Sequence, residues 1–203
     1  MHDPLPTPAR VASITVAFAV GLAAYDPAAG FTKEGGAAET ATIVLLALAA
    51  MRLLLAGAGW PAMLATLLTF RELDWDKAFL SDGILKSNFY RGNAPLDEKL
   101  IGGAVVLFAL IVIFANLRLG WRPVLNGLRR GTGWVWLLIV GVAMVVVAKS
   151  IDGLGRKLEP LGIELSPAVA TGVVHAEEVL ELAFAFCICV AAHAVERRRG
   201  ALV

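Results

Sequence analysis

Four ionisable residues crowd one short stretch, His175-Ala176-Glu177-Glu178-Val179-Leu180-Glu181, inside a run that is otherwise apolar as far as His193. On a helix this spacing matters. His175 and Glu178 are three residues apart, as are Glu178 and Glu181, and Glu177 and Glu181 are four apart, so the side chains share a face. A histidine among carboxylates can relay protons, hold a cation, or supply ligands to a divalent metal, and this donor set suits zinc, manganese or iron. His175, Glu178 and Glu181 are therefore the candidate catalytic groups, with Asp152 as a fourth, and His175 and Glu178 are the candidate metal ligands. A charge at the centre of a bilayer costs roughly 2.5–3.5 kcal/mol on insertion scales, so an acid in an apolar helix is read first as functional. Counting back about 20 residues from Val195, the length needed to cross the hydrocarbon, puts the outer boundary near Ala176. Water reaches that depth and the cost falls. A salt-bridged, half-wet helix end is thus the bland reading that stands beside the functional one.

Other charged residues belong to the same level of the chain. Glu39 opens an apolar run. Arg71, Glu72, Asp74 and Lys77 close another, Lys86 follows, and Lys149, Asp152 and Arg156 close a third. These, with Glu177, form the expected polar network. Asp152 and Arg156 have the four-residue spacing of a helical salt bridge, although an exposed pair of that kind contributes only a few tenths of a kcal/mol. Arg71 and Lys77 have a simpler role open to them as interfacial anchors that snorkel.

Several chemistries are demoted. His175 and His193 lie on one helix, roughly 27 Å apart at 1.5 Å per residue, which excludes joint ligation of one haem. Cys187 and Cys189 point to different faces and read as small apolar fillers. No phosphate loop, G-x-S-x-G or H-E-x-x-H motif occurs. The net charge of +1 gives no pull toward nucleic acid.

The elements that must position these residues are membrane helices. The chain has 203 residues, 58% of them hydrophobic, and a mean hydropathy of +0.74, well above the roughly 45–50% apolar content of soluble domains. The excess falls in uncharged runs at 11–25, 53–70, 100–117 and 131–148, each near the length of a spanning helix. The pattern predicts an all-α, polytopic transmembrane helical bundle of about six helices, forming one integral membrane domain over 1–203. The helices fall at about 8–25, 39–57, 60–75, 95–117, 133–157 and 166–196. Gly57-Ala58-Gly59-Trp60-Pro61 argues for two helices over 39–70 rather than one long one. A short interfacial helix is expected near 81–91, capped by Ser81. Ser166 followed by Pro167 is a strong start for the last helix. The first run could be a signal peptide, but its n-region, with one Arg, an Asp and three prolines, favours an uncleaved helix.

Orientation follows from basic residues, which favour the cytoplasm. Arg118, Arg122, Arg129 and Arg130 occur without an acid among them, and Arg197, Arg198 and Arg199 end the last helix. Lys and Arg divide equally, nine to a side, but the inner segments are shorter and so denser. Both termini are then expected inside, with Trp60, Trp121, Trp134 and Trp136 as the inner aromatic belt. All acids but Asp3 and Glu196 fall on the outer side.

Three stretches resemble a family of uncharacterised bacterial multi-pass inner-membrane proteins: Lys33-Glu34-Gly35 with Glu39 and Thr42; Arg71-Glu72-Leu73-Asp74 with Lys77 and Phe79; and Leu85-Lys86-Ser87 with Phe89-Tyr90, Pro95 and Glu98-Lys99. Glu177, Glu178 and Glu181 fit the same pattern. The resemblance implies a bacterial inner membrane and a multi-pass fold, without an activity. Ser150, Asp152 and His175 are also distantly similar to the Ser, Asp and His of ceramidase-like membrane hydrolases, which hold zinc with three histidines. This chain departs from them in having no H-x-x-x-H pair. Three functions follow as expectations: a binding or catalytic site at the outer interface, including a metal-dependent enzyme on lipid; an ion- or proton-coupled transport protein; and an accessory or scaffold subunit of a membrane complex. The bilayer is the one partner common to all three.

Overall fold

The computed structural model describes residues 36–80 and 83–200, with the backbone alone at 76, 78 and 196–200. The expected first helix at 8–25 and the Ser81 cap lie outside the described residues. The rest is helical. In chain order come α1 (Ala37–Leu55), α2 (Gly59–Glu72), α3 (Trp75–Phe79), α4 (Ser87–Arg91), α5 (Leu96–Arg129), α6 (Gly133–Ile151), α7 (Leu154–Leu158), a 3₁₀ turn (Glu159–Leu161) and α8 (Pro167–Gly200).

Among the described residues, four helices are long and apolar enough to cross a membrane: α1, α5, α6 and α8. The chain is an integral membrane protein on that evidence. The expected count of six corresponds here to four such helices and one short companion. At 14 residues, α2 reaches only about 21 Å at 1.5 Å per residue, less than the roughly 30 Å of hydrocarbon.

Helix α8 is central. It packs against α1 on one side and α6 on the other, α2 lies against α1, and α5 sits at the edge against α2 and, more lightly, α6. Small residues let these helices approach. Ala49, Ala62, Ala65 and Ala192 form one buried cluster with Leu53 across α1, α2 and α8. At Gly141 of α6 an added Cβ would lie 3.1 Å from the Cβ of Cys187 on α8. Without a solvent-driven hydrophobic effect between helices in lipid, such close contact is what holds them together. Cys187 is fully buried and Cys189 half-buried, neither in a disulfide, in keeping with their reading as packing residues.

The boundaries have local causes. Gly57, at φ 65°, takes the left-handed conformation that glycine adopts without cost. Its N–H donates to Leu54 O, and Ala58 N–H donates to Leu53 O. These two bonds close α1 as a Schellman turn, so 39–70 forms two antiparallel helices. Gly153, at φ 61°, ends α6 at Ile151 rather than at the expected 157. Helix α5 runs on to Arg129 through Pro123, twelve residues past the expected end at 117. A proline removes one backbone donor and bends a helix, and here it does not terminate it. Of the interfacial helix only Ser87–Arg91 is formed. Its Phe89 is 2% exposed and stacks over α5 at Gly102, where a Cβ would meet the ring at 2.8 Å.

Candidate functional site

Lys149 joins two helices at one end of the bundle. It lies in the last turn of α6, antiparallel to the first half of α8. Its ammonium lies 2.5 Å from Glu181 Oε1, 3.3 Å from Glu177 Oε1 and 3.9 Å from Asp152 Oδ2. The two glutamates meet one cation because they are four residues apart on α8, and the Gly141–Cys187 approach two turns away sets the register between α6 and α8. Glu181 is 9% exposed. Its Oε1 has no solvent contact, and the Lys149 ammonium balances its charge.

A second tier surrounds this core. Glu39, in the first turn of α1, and Glu72, ending α2, interact electrostatically with Glu178, which in turn feels Glu177 and Glu181. Arg71 donates to Glu72 at 2.7 Å and faces the field of Lys149. His175 is 8% exposed, one turn before Glu178. Four helices thus bring Glu39, Glu72, Asp152, Glu177, Glu178 and Glu181 to one level with Arg71 and Lys149 as the bases. Carboxyl groups outnumber the bases at this level, six to two, among the described residues.

Other candidates fall elsewhere. Asp74 and Lys77 pair with each other at 2.6 Å, both half-exposed, with Asp74 at φ 47°. Lys86 is exposed just before α4. The expected Asp152–Arg156 pair does not form. Four-residue spacing aligns side chains only on a continuous helix, and Gly153 interrupts this one. Asp152 turns to Lys149 instead, and the Arg156 guanidinium folds over Gly153, where a Cβ would lie 2.7 Å from Nη2. Ser150 is exposed and donates to Val146 O at 2.7 Å within its own helix.

Among the described residues no three His, Cys, Asp or Glu side chains are grouped to hold an ion. Lys149, rather than a vacancy, lies between Glu177 and Glu181. His175 and Glu178, the candidate metal ligands, stand one turn apart on α8. The sequence placed the emphasis on the α8 acids and treated Lys149 as one member of a network. The available signal for its larger role was that Lys149 is the one charged residue of α6, at its end, with no acid on its own helix. A contact at the opposite end of the bundle was also missed: Arg52 Nη1 donates to His193 Nδ1 at 2.8 Å, tying α1 to α8.

No family model, curated protein or solved structure matches the chain.

Proposed function

We propose that this integral membrane protein binds a cationic group at the end of the bundle where α1, α2, α6 and α8 converge, and that this end faces away from the cytoplasm. One observation carries the reading. Lys149 is itself a cation on a flexible four-carbon stem, held by Glu177, Glu181 and Asp152 inside a wider ring formed by Glu39, Glu72 and Glu178. A ring with surplus carboxylates and one mobile internal cation is suited to exchange. An arriving cation takes the carboxylates while the lysine, about a third exposed, swings to water. Basic residues denser at the opposite end support a cytoplasmic assignment for that end, with both termini inside, and the resemblance implies a bacterial inner membrane. Neither a nucleophile nor a grouped metal site is part of this reading, so binding is ranked ahead of catalysis, with proton- or ion-coupled transport as its closest extension.

The test is thermal unfolding of the purified full chain in mild detergent, titrated separately with sodium, magnesium and spermidine. At least one of these is expected to raise the midpoint in the wild type and to lose that effect in Glu178→Gln, with the helical content unchanged. If all three leave the wild type unmoved, or stabilise Glu178→Gln equally, the reading fails.

A further inference from the structure

The opposite end of the bundle carries a second surface, on the last third of α5. Three of its arginines form one stripe. At about 100° per residue, Arg118, Arg122 and Arg129 fall within about 40° of one another around the helix, while Gly127 lies roughly 140–180° away. The packed face is fixed by contacts. Asn116 Nδ2 donates to Trp60 O at 2.9 Å, and Gly127 is buried, with its carbonyl accepting from the Thr132 hydroxyl at 3.1 Å. A Cβ at Gly127 would collide with Val135. The arginine stripe therefore faces away from the bundle.

The same contacts define how this segment runs. Trp60 begins α2 and Thr132 precedes α6, and both belong to the end of the bundle where Arg52 meets His193. From Asn116 to Gly127 the helix covers about 16 Å, yet both of its ends touch that one end. This stretch consequently crosses the end of the bundle instead of leaving it along the axis. A helix lying so, with its arginines at a similar depth, is placed like an interfacial amphipathic helix. Its other exposed residues agree: Trp121 and Leu125 flank the stripe, and the Arg122 guanidinium lies over the Trp121 ring at 5.5 Å from its centroid.

Charge decides the partner. No Asp or Glu occurs from Lys99 to Ile151. Arg118, Arg122, Arg129 and Arg130 are all exposed, and none has an ion pair among the described residues. Four guanidiniums with no ion pair among the described residues, beside an interfacial tryptophan, match phosphate oxygens at the headgroup level, where Arg forms paired hydrogen bonds. We infer that the Arg118–Arg122–Arg129 stripe of α5 binds the headgroups of anionic phospholipids.

The test uses the full-length protein in mild detergent, with phosphatidylglycerol and phosphatidylcholine as probes and native mass spectrometry counting the lipids retained. Phosphatidylglycerol is expected to bind the wild type more tightly than phosphatidylcholine. Each Arg→Gln change is expected to weaken it about fivefold, corresponding to roughly 1 kcal/mol per basic residue near an anionic surface. The triple Arg→Lys variant should keep most of the preference. Equal retention of the two lipids by the wild type overturns the inference, as does an unchanged preference in Arg122→Gln. Displacement of phosphatidylglycerol by an equal charge concentration of polyglutamate would also overturn it, in favour of an acidic protein partner. Should the triple Arg→Gln variant not fold, the single variants and the salt dependence of wild-type binding decide the matter.

Discussion

Replacing Lys149 with methionine removes the cation and keeps the side-chain volume. Glu181 is then left 9% exposed and Glu177 largely covered, with a side-chain exposure of 16%. Neither has another ion-pair partner among the described residues. Breaking a buried pair by removing one member costs about 3–5 kcal/mol, because the survivor keeps its desolvation cost without its counter-charge. Lys149 is 35% exposed, so water recovers part of this, and about 2–4 kcal/mol is expected for Lys149→Met. Glu181→Leu alone should cost less, because Lys149 retains Glu177 and Asp152. The informative variant is the pair. Lys149→Met with Glu181→Leu replaces a buried ion pair by packed apolar groups, an exchange that is often neutral. The double variant should therefore be more stable than the sum of the singles, by at least about 1 kcal/mol of coupling. Reversible unfolding in mixed detergent micelles, followed by far-UV circular dichroism, measures all four corners of the cycle. Additivity to within about 0.5 kcal/mol would mean that Lys149 and Glu181 do not act as a unit, and the geometry of the site would then be wrong at its centre.

Two further variants test the scaffold. Gly141→Val puts methyl groups where a Cβ alone already stands 3.1 Å from Cys187; overpacking of this kind should cost about 1–3 kcal/mol in the same unfolding assay, and should weaken any cation stabilisation by shifting α6 against α8. Phe89→Ala empties the contact over Gly102, and losing a buried phenylalanine costs about 3–5 kcal/mol; α4 should then detach, read as new protease cleavage between Phe79 and Leu96 while α6 and α8 stay protected.

Much of the site was legible because its spacing is local. Glu177 and Glu181 share a helical face by arithmetic, and Ser166-Pro167 marks the start of α8, where Val169 N–H reaches the Ser166 hydroxyl at 3.4 Å. The Gly57 break was legible for the same reason. What sequence periodicity does not carry is the register between helices. Lys149 stands opposite Glu177 and Glu181 only because Gly141 lets α6 settle against Cys187, and that contact spans 46 positions of sequence. The Asp152–Arg156 expectation failed by extending a helical rule across Gly153. The end of α5 was misread because Pro123 and an arginine-rich composition look like a loop, whereas Gly131, the left-handed residue at φ 64°, is where the helix stops.

The two ends of the bundle solve opposite electrostatic problems with the same helices. At one end six carboxylates gather around two cations, and three of the acids lie on α8, the helix with most of its membrane-length window buried. At the other end the arginines sit on α5, the helix with the least of its membrane-length window buried, 11% against 56% for α8. Like charges on a loosely packed peripheral helix repel one another unless something external neutralises them. Carboxylates held by a central helix can instead be neutralised from within, by Lys149. The two proposals rest on this contrast: an internal cation, exchangeable for an external one, where Lys149 meets the carboxylates of α8, and an external anion on the exposed face of α5. Moving one arginine off the stripe, as in Arg122→Gln with Gly120→Arg, about 160° round the helix from Arg122 at a position where an added side chain meets open space, preserves net charge. If the placement of charge is what matters, this variant should lose the anionic-lipid preference as fully as Arg122→Gln alone, and native mass spectrometry of the two side by side separates placement from total charge.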